Sequence, residues 1–183
     1  LREVICFSAD TQLNGNTVQG YAAKFGVLSH DLGGFRTRLQ PDCFSKAMQK
    51  LDCTLNLDHD DSRLLGRTTS GTLQVRQDET GLWFSAQLPN TTVGNDAREL
   101  LDRGDISECS FAVLIAKSRF VEEEDLLIRE LQEIDELLDV SLVVRPAFPK
   151  TEVSLHALEK WKKSRCKPRL LDAKLKQLMA KVI

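Results

Sequence analysis

Gly104-Asp105-Ile106-Ser107-Glu108-Cys109-Ser110-Phe111-Ala112-Val113 is the stretch on which the fold of this chain turns. Gly104 reads as the stop of a helix, and Phe111 opens an apolar run through Ile115, so Ser110 is expected near the start of a β-strand with its neighbours holding it. The Gly-x-Ser-x-Gly spacing of a hydrolase nucleophile elbow is absent, because Glu108 and Ala112 stand where its glycines would be. That argues against an α/β-hydrolase. A serine in a strand acquires chemistry only if a base and an orienting acid reach it from elsewhere in the chain.

Toward the C-terminus the chain turns through the acidic residues 122–125, returns over 126–134, and forms a further strand over 138–144 that ends at Arg145-Pro146-Ala147-Phe148-Pro149. Toward the N-terminus, Thr92 can cap a helix whose Val93, Ala97, Leu100 and Leu101 share one face. Before it, strands over 72–76 and 82–88 flank a turn at Gly81. Thr54-Leu55-Asn56-Leu57 alternates as a short strand and delivers His59 at its end, ahead of Asp60, Asp61, Ser62 and Arg63. Asp42 can cap a short helix with Phe44, Ala47, Met48 and Leu51 at helical spacing. Strands over 3–8 and 17–25 flank the turn Asn14-Gly15-Asn16. The pattern predicts an α+β, mainly β protein: a closed or strongly curved antiparallel β-barrel flanked by helices, not a βαβ array.

The domain boundary falls near residue 153. Residues 1–153 form the barrel domain, and 154–183 a basic amphipathic helical tail. Ser154 can cap a helix to about Arg165, and a second after Pro168 carries Leu171, Leu175, Leu178 and Val182 as a stripe. Within 156–183, nine Lys or Arg stand against Glu159 and Asp172, whereas the whole 183-residue chain has a net charge of −2. An acidic body therefore carries a basic tail. Trp161 is the tail's single aromatic residue, too few for a base-stacking surface, so nucleic acid is not the expected partner.

Composition is that of a globular protein, 42% apolar and 28% charged. No apolar run approaches the roughly 18 residues of a membrane span, and Leu1-Arg2-Glu3-Val4 has no signal-peptide organisation. The expectation is a cytoplasmic protein. Cys6, Cys43, Cys53, Cys109 and Cys166 are scattered, with no Cys-x-x-Cys pair, which suits reduced thiols rather than zinc ligands or a disulfide framework. Asn90-Thr91-Thr92 matches a glycosylation sequon but reads as a chance match in a cytosolic chain.

Three histidines are available as a base: His30, His59 and His156. His30 lies in a Gly-flanked loop and His156 near the start of the tail, both read as surface positions. His59, at a strand end, is the better base, since imidazole titrates near neutrality and needs a partner on its second nitrogen to fix the tautomer. Asp139 or Glu136, where the returning strand begins, is that partner. Cys109 rivals Ser110 as nucleophile, but adjacent strand residues face opposite ways, so only one of them faces His59. Asp58, Asp60 and Asp61 lack a second His or Cys beside them, so no metal is implied.

The surrounding words come in one order: Asp58-His59-Asp60, Leu65-Gly66-Arg67-Thr68, Gly71-Thr72-Leu73, residues 78–84, Leu88-Pro89-Asn90-Thr91, Arg103-Gly104-Asp105-Ile106, Cys109-Ser110-Phe111, Asp139-Val140-Ser141 and the run from Pro146 to Thr151. From about Gly20 to Val153 this set resembles the phage prohead serine proteases, the head-maturation family that shares its barrel with herpesvirus assemblins. The resemblance implies a serine endopeptidase of capsid maturation, with His59 as general base, Ser110 as nucleophile and Asp139 where the family usually has Glu; Glu136 is the fallback. Arg145, six residues past Asp139, is the oxyanion candidate by likeness to assemblins. Ala112 replaces a glycine usual after Ser-Phe, which bears on the oxyanion hole. The implied partners are capsid protein with its scaffold segment, the chain itself by autocleavage, and a second copy in a homodimer. The implied place is the assembling procapsid in the bacterial cytoplasm, with no cofactor. Two alternatives stand beside this: a capsid-assembly module with weak catalysis, which Ala112 and Asp139 would fit, and a nucleic-acid-binding barrel resting on the tail alone.

Overall fold

The structure, a computed structural model, describes residues 2–7, 10–29, 31–144, 159 and 161–163. The chain divides into two units, Leu1–Pro149 and Lys150–Ile183. In the second, residues 159 and 161–163 are helical; the rest of the expected tail helices lies outside the described residues.

The first unit is mainly β. Its elements are β1 (Arg2–Phe7), β2 (Asp10–Asn14), β3 (Thr17–Lys24), β4 (Arg36–Leu39), a 3₁₀ turn (Ala47–Lys50), β5 (Thr54–Leu57), β6 (Asp60–Arg67), β7 (Leu73–Gln77), β8 (Gly81–Gln87), α1 (Thr92–Asp102), β9 (Glu108–Glu123) and β10 (Leu126–Val143). Six strands form one sheet in the order β1-β9-β10-β5-β6, with β4 also on β10, and four form a second in the order β2-β3-β8-β7.

Among the described residues neither sheet closes into a barrel, which corrects the closed form of the closed or strongly curved antiparallel barrel expected from the hairpin pattern. The cause lies in β10. Its first half pairs with β4, Ile128 opposite Arg36, and its second half with β5, Asp139 opposite Thr54, both in parallel. Register shifts between Leu131 and Asp139 separate the halves, so one strand serves two partners instead of passing the ladder onward round a ring. The same bulges explain why residues 126–134 and 138–144 read as two strands in sequence: a bulge breaks the period of two without breaking the strand.

The turn at Gly15, with φ +61°, joins β2 to β3, whereas β1 crosses to β9, Ile5 opposite Phe111. The expected pairing of residues 3–8 with 17–25 is thus replaced by two separate ladders. Three strands, β2, β4 and β6, were not expected from the sequence. Thr91, one residue before the expected cap, accepts the Gly94 N–H at 3.2 Å to start α1, and Gly104 at φ +76° ends its C-terminal turn. Asp42 accepts from Gln77 at 3.1 Å and caps no helix. One core draws Val18, Leu82 and Phe84 from the smaller sheet and Leu55, Leu57, Phe111, Val113, Val140 and Leu142 from the larger. Phe44 and Phe111 meet edge to face in it at 5.8 Å.

Candidate active site

The alternation of β9 decides which side chain can do chemistry. Cys109, Phe111 and Val113 enter the core, so Ser110 and Ala112 face the other side of the sheet. Cys109 is fully buried and lies 3.3 Å from the Thr11 hydroxyl. Burial pushes its thiol up to about 12, which removes the thiolate a cysteine nucleophile needs. Ser110 is 0% exposed. It stands opposite Cys6 of β1 and Ser141 of β10, and its hydroxyl donates to the Ile5 carbonyl at 3.1 Å.

His59 is placed by the short turn that reverses β5 into β6. Leu57 pairs with Asp60, leaving Asp58 and His59 to make the turn at φ +57° and +58°. Left-handed backbone is uncommon for residues other than glycine, though Asp and His tolerate it better than most. The turn is held from several sides. Asn56 donates to Asp61 across it at 3.0 Å, the Asp58 N–H donates to the Leu142 carbonyl of β10 at 3.0 Å, and Arg63 pairs with Asp58 at 3.2 Å. The three aspartates around His59 are thus bound within the turn or to β6, Asp60 to Ser62 at 2.6 Å.

Asp139 is brought to His59 because β5 and β10 run side by side, Asp139 opposite Thr54 and Leu142 opposite Leu57. Oδ1 of Asp139 lies 2.5 Å from Nδ1 of His59. The same oxygen accepts the Ser141 hydroxyl at 2.9 Å, and Oδ2 accepts from Arg2 at 2.7 Å. The carboxyl is 2% exposed. Burial by itself would raise its pKa, but the hydrogen bond and charge of His59, the Ser141 hydroxyl and the Arg2 charge outweigh it and hold the group below the usual carboxylate range. A carboxylate on Nδ1 fixes the proton there and leaves the Nε2 lone pair outward. Nε2 is buried and makes no hydrogen bond among the described residues. A buried ring nitrogen without a partner costs about 1–3 kcal/mol and is capacity held for something else.

Of the residues singled out in the sequence, the structure joins His59 directly to Asp139 and sets Ser110 on the same sheet face as Asp139 and Ser141. Glu136 is exposed and makes no bond to the imidazole. Arg145, His30 and His156 lie outside the described residues. Sequence reasoning missed Arg2 and Ser141 as partners of Asp139. Ser141 had a signal, since i and i+2 of a strand share a face; Arg2, 137 residues away in sequence, had none.

The family model that this chain matches makes it a serine protease. Residues 4–164 match the family model of the caudovirus prohead serine proteases, and the chain belongs to that family. Capsid maturation in tailed bacteriophages is therefore its setting. Among solved structures, the capsid assembly protease of bacteriophage T4 is similar, with a TM-score of 0.57 at 9% identity over 79% of this chain and 98% of that one, a likeness of fold. No curated protein matches the chain in sequence.

Proposed function

We propose that this protease matures capsids by cleaving scaffold segments of the capsid protein, and itself, through His59, Ser110 and Asp139. The observation that carries the reading is the His59–Asp139 pair at 2.5 Å with Nε2 of the same ring buried and unbonded. In this reading the Ser110 hydroxyl leaves the Ile5 carbonyl, which it meets at 3.1 Å, and donates to Nε2. Ser110 Oγ then attacks the scissile carbonyl as its proton passes to Nε2, forming the C–O bond and an oxyanion. Collapse breaks the C–N bond, and Nε2 returns its proton to the leaving amine. Water, deprotonated by the same nitrogen, releases the acyl group and restores Ser110. Asp139 holds the proton on Nδ1 and stabilises the imidazolium formed in each half. Arg145 is the proposed oxyanion donor. The basic residues of 154–183 are the proposed docking or cleavable tail of a 1–153 catalytic domain, acting within the procapsid in the host cytoplasm.

One observation favours a second reading, the capsid-assembly module with weak catalysis: the Ser110 proton is directed at Ile5 and not at His59. Mass spectrometry of the cognate capsid protein incubated with wild type and with Ser110→Ala decides between them. Defined fragments with wild type alone are the expected result. An intact capsid protein in both samples sinks the protease assignment of these residues and leaves the assembly module.

A further inference from the structure

The Asp139 carboxylate has one more donor than fixing a tautomer requires, and it comes from the far side of the nucleophile strand. β1 lies on β9 with Arg2 opposite Leu114 and Val4 opposite Ala112, so Arg2 and Val4 fall on the face of Ser110 while Glu3 and Ile5 turn the other way. Glu3 takes both terminal nitrogens of Arg129 at 2.6 and 3.1 Å, and both side chains are 8% exposed. That buried pair anchors β1 to β10. From the anchored strand, Nη2 of Arg2 reaches over β9 to Oδ2 of Asp139 at 2.7 Å. We infer that Arg2 is a positioning residue of this protease, holding Oδ2 so that Oδ1 stays aligned with Nδ1 of His59.

The physical argument concerns one torsion. A carboxylate turns about its Cβ–Cγ bond in a broad, two-fold well, and His59 and Ser141 both bind the same oxygen. Two bonds on one oxygen leave the group free to swing about it. A charge-assisted bond on the other oxygen removes that freedom. The acceptor end is buried and the donor is 44% exposed, so the arginine contributes to alignment without being a core residue. The inference rests on the triad assignment above, and its test separates the two.

Full-length wild type, Arg2→Ala, Arg2→Lys and Ser110→Ala are reacted with a fluorophosphonate, and limiting rate and half-saturating probe concentration are measured beside the melting temperature. The expected result is no labelling of Ser110→Ala. For Arg2→Ala it is a limiting rate roughly tenfold down, well short of the about 10⁴-fold that loss of the tautomer clamp costs a Ser-His-Asp triad. The half-saturating concentration stays the same. Arg2→Lys and millimolar guanidinium added to Arg2→Ala restore most of the rate, which a merely structural arginine would not do. An Arg2→Ala protein that labels like wild type, or a slow one that neither lysine nor guanidinium rescues, overturns the role of Arg2 while the silent Ser110→Ala keeps the triad. Labelling of Ser110→Ala, or none of wild type, overturns the triad instead. If Arg2→Ala melts lower, Arg2→Gln, which keeps donors without the charge, is judged by the same rates.

Discussion

Asp139 is the residue in which site chemistry and stability meet. Replacing it with Asn keeps the shape but offers His59 a group that no longer selects the Nδ1 proton, so Asp139→Asn is expected to lower the catalytic rate by about 10⁴-fold, measured as initial cleavage of capsid protein. The same carboxyl sits below its unfolded value near 3.9. Above that pH both states are ionised and its contribution to stability is complete. As the pH falls through about 3.9 the unfolded chain takes the proton first, and the contribution drains away toward the lower folded value. Melting wild type and Asp139→Asn from pH 6 to pH 3 should show the wild-type advantage shrinking as acid is added; a constant gap would refute the linkage. Cys109 belongs to the other face of the same strand. Cys109→Ala is expected to cleave at the wild-type rate with a loss of about 1 kcal/mol in stability from the vacated core space, read by denaturant titration with an activity assay.

Elements set these residues in place through backbone contacts as much as through side chains. Gly94 in the first turn of α1 shows how close those contacts are, because an added Cβ would come 2.1 Å from the Pro89 carbonyl oxygen. Alanine normally stabilises a helix interior by roughly 0.5–1 kcal/mol over glycine. Here the clash is with backbone that has nowhere to go, so Gly94→Ala is expected to destabilise by about 1–3 kcal/mol and to lower the melting temperature by about 2–4 °C for each of them. A higher melting temperature would show that the α1 entry yields easily. The strand after Leu57 makes the complementary point. β5 and β6 keep His59 in a left-handed turn because Asn56 and Asp61 bridge it, so the placement of the imidazole is a property of the hairpin and not of the histidine.

On the scale of the whole unit, the buried pair of Glu3 and Arg129 ties the first strand to the last. Removing one partner strands a charge in the interior, so Glu3→Leu alone is expected to cost about 3–5 kcal/mol, whereas Glu3→Leu with Arg129→Met comes out near neutral. A double-mutant cycle in urea measures the difference. Equal losses from the single and double variants would mean that β1 is held by its ladder to β9 alone. A second network, Arg38 with Glu123 at 2.6 Å and Glu130 with Arg38 and Arg119 at 2.6 Å, binds β4, β9 and β10 one residue further along β10. The two clusters lie side by side on the adjacent Arg129 and Glu130 and brace the turn end of the long β9–β10 hairpin, away from Ser110.

Local grammar was legible in the sequence: the alternation that turns Ser110 away from Cys109, the strand that delivers His59, the Gly104 stop, and the ordered words that mark the family. Each depends on residues a few positions apart, where periodicity and turn preference act directly. Long-range pairing was decided only in three dimensions. That β10 splits between β4 and β5, that β1 joins β9, that the sheets stay open, and that Arg2 reaches Asp139 all follow from which strand edges meet once the core is packed. An exposed arginine 137 residues from Asp139 in sequence carries no periodicity to betray its partner. The choice of Asp139 over Glu136 has the same origin, since only the parallel register of β5 on β10 brings one carboxylate to the imidazole and leaves the other in solvent.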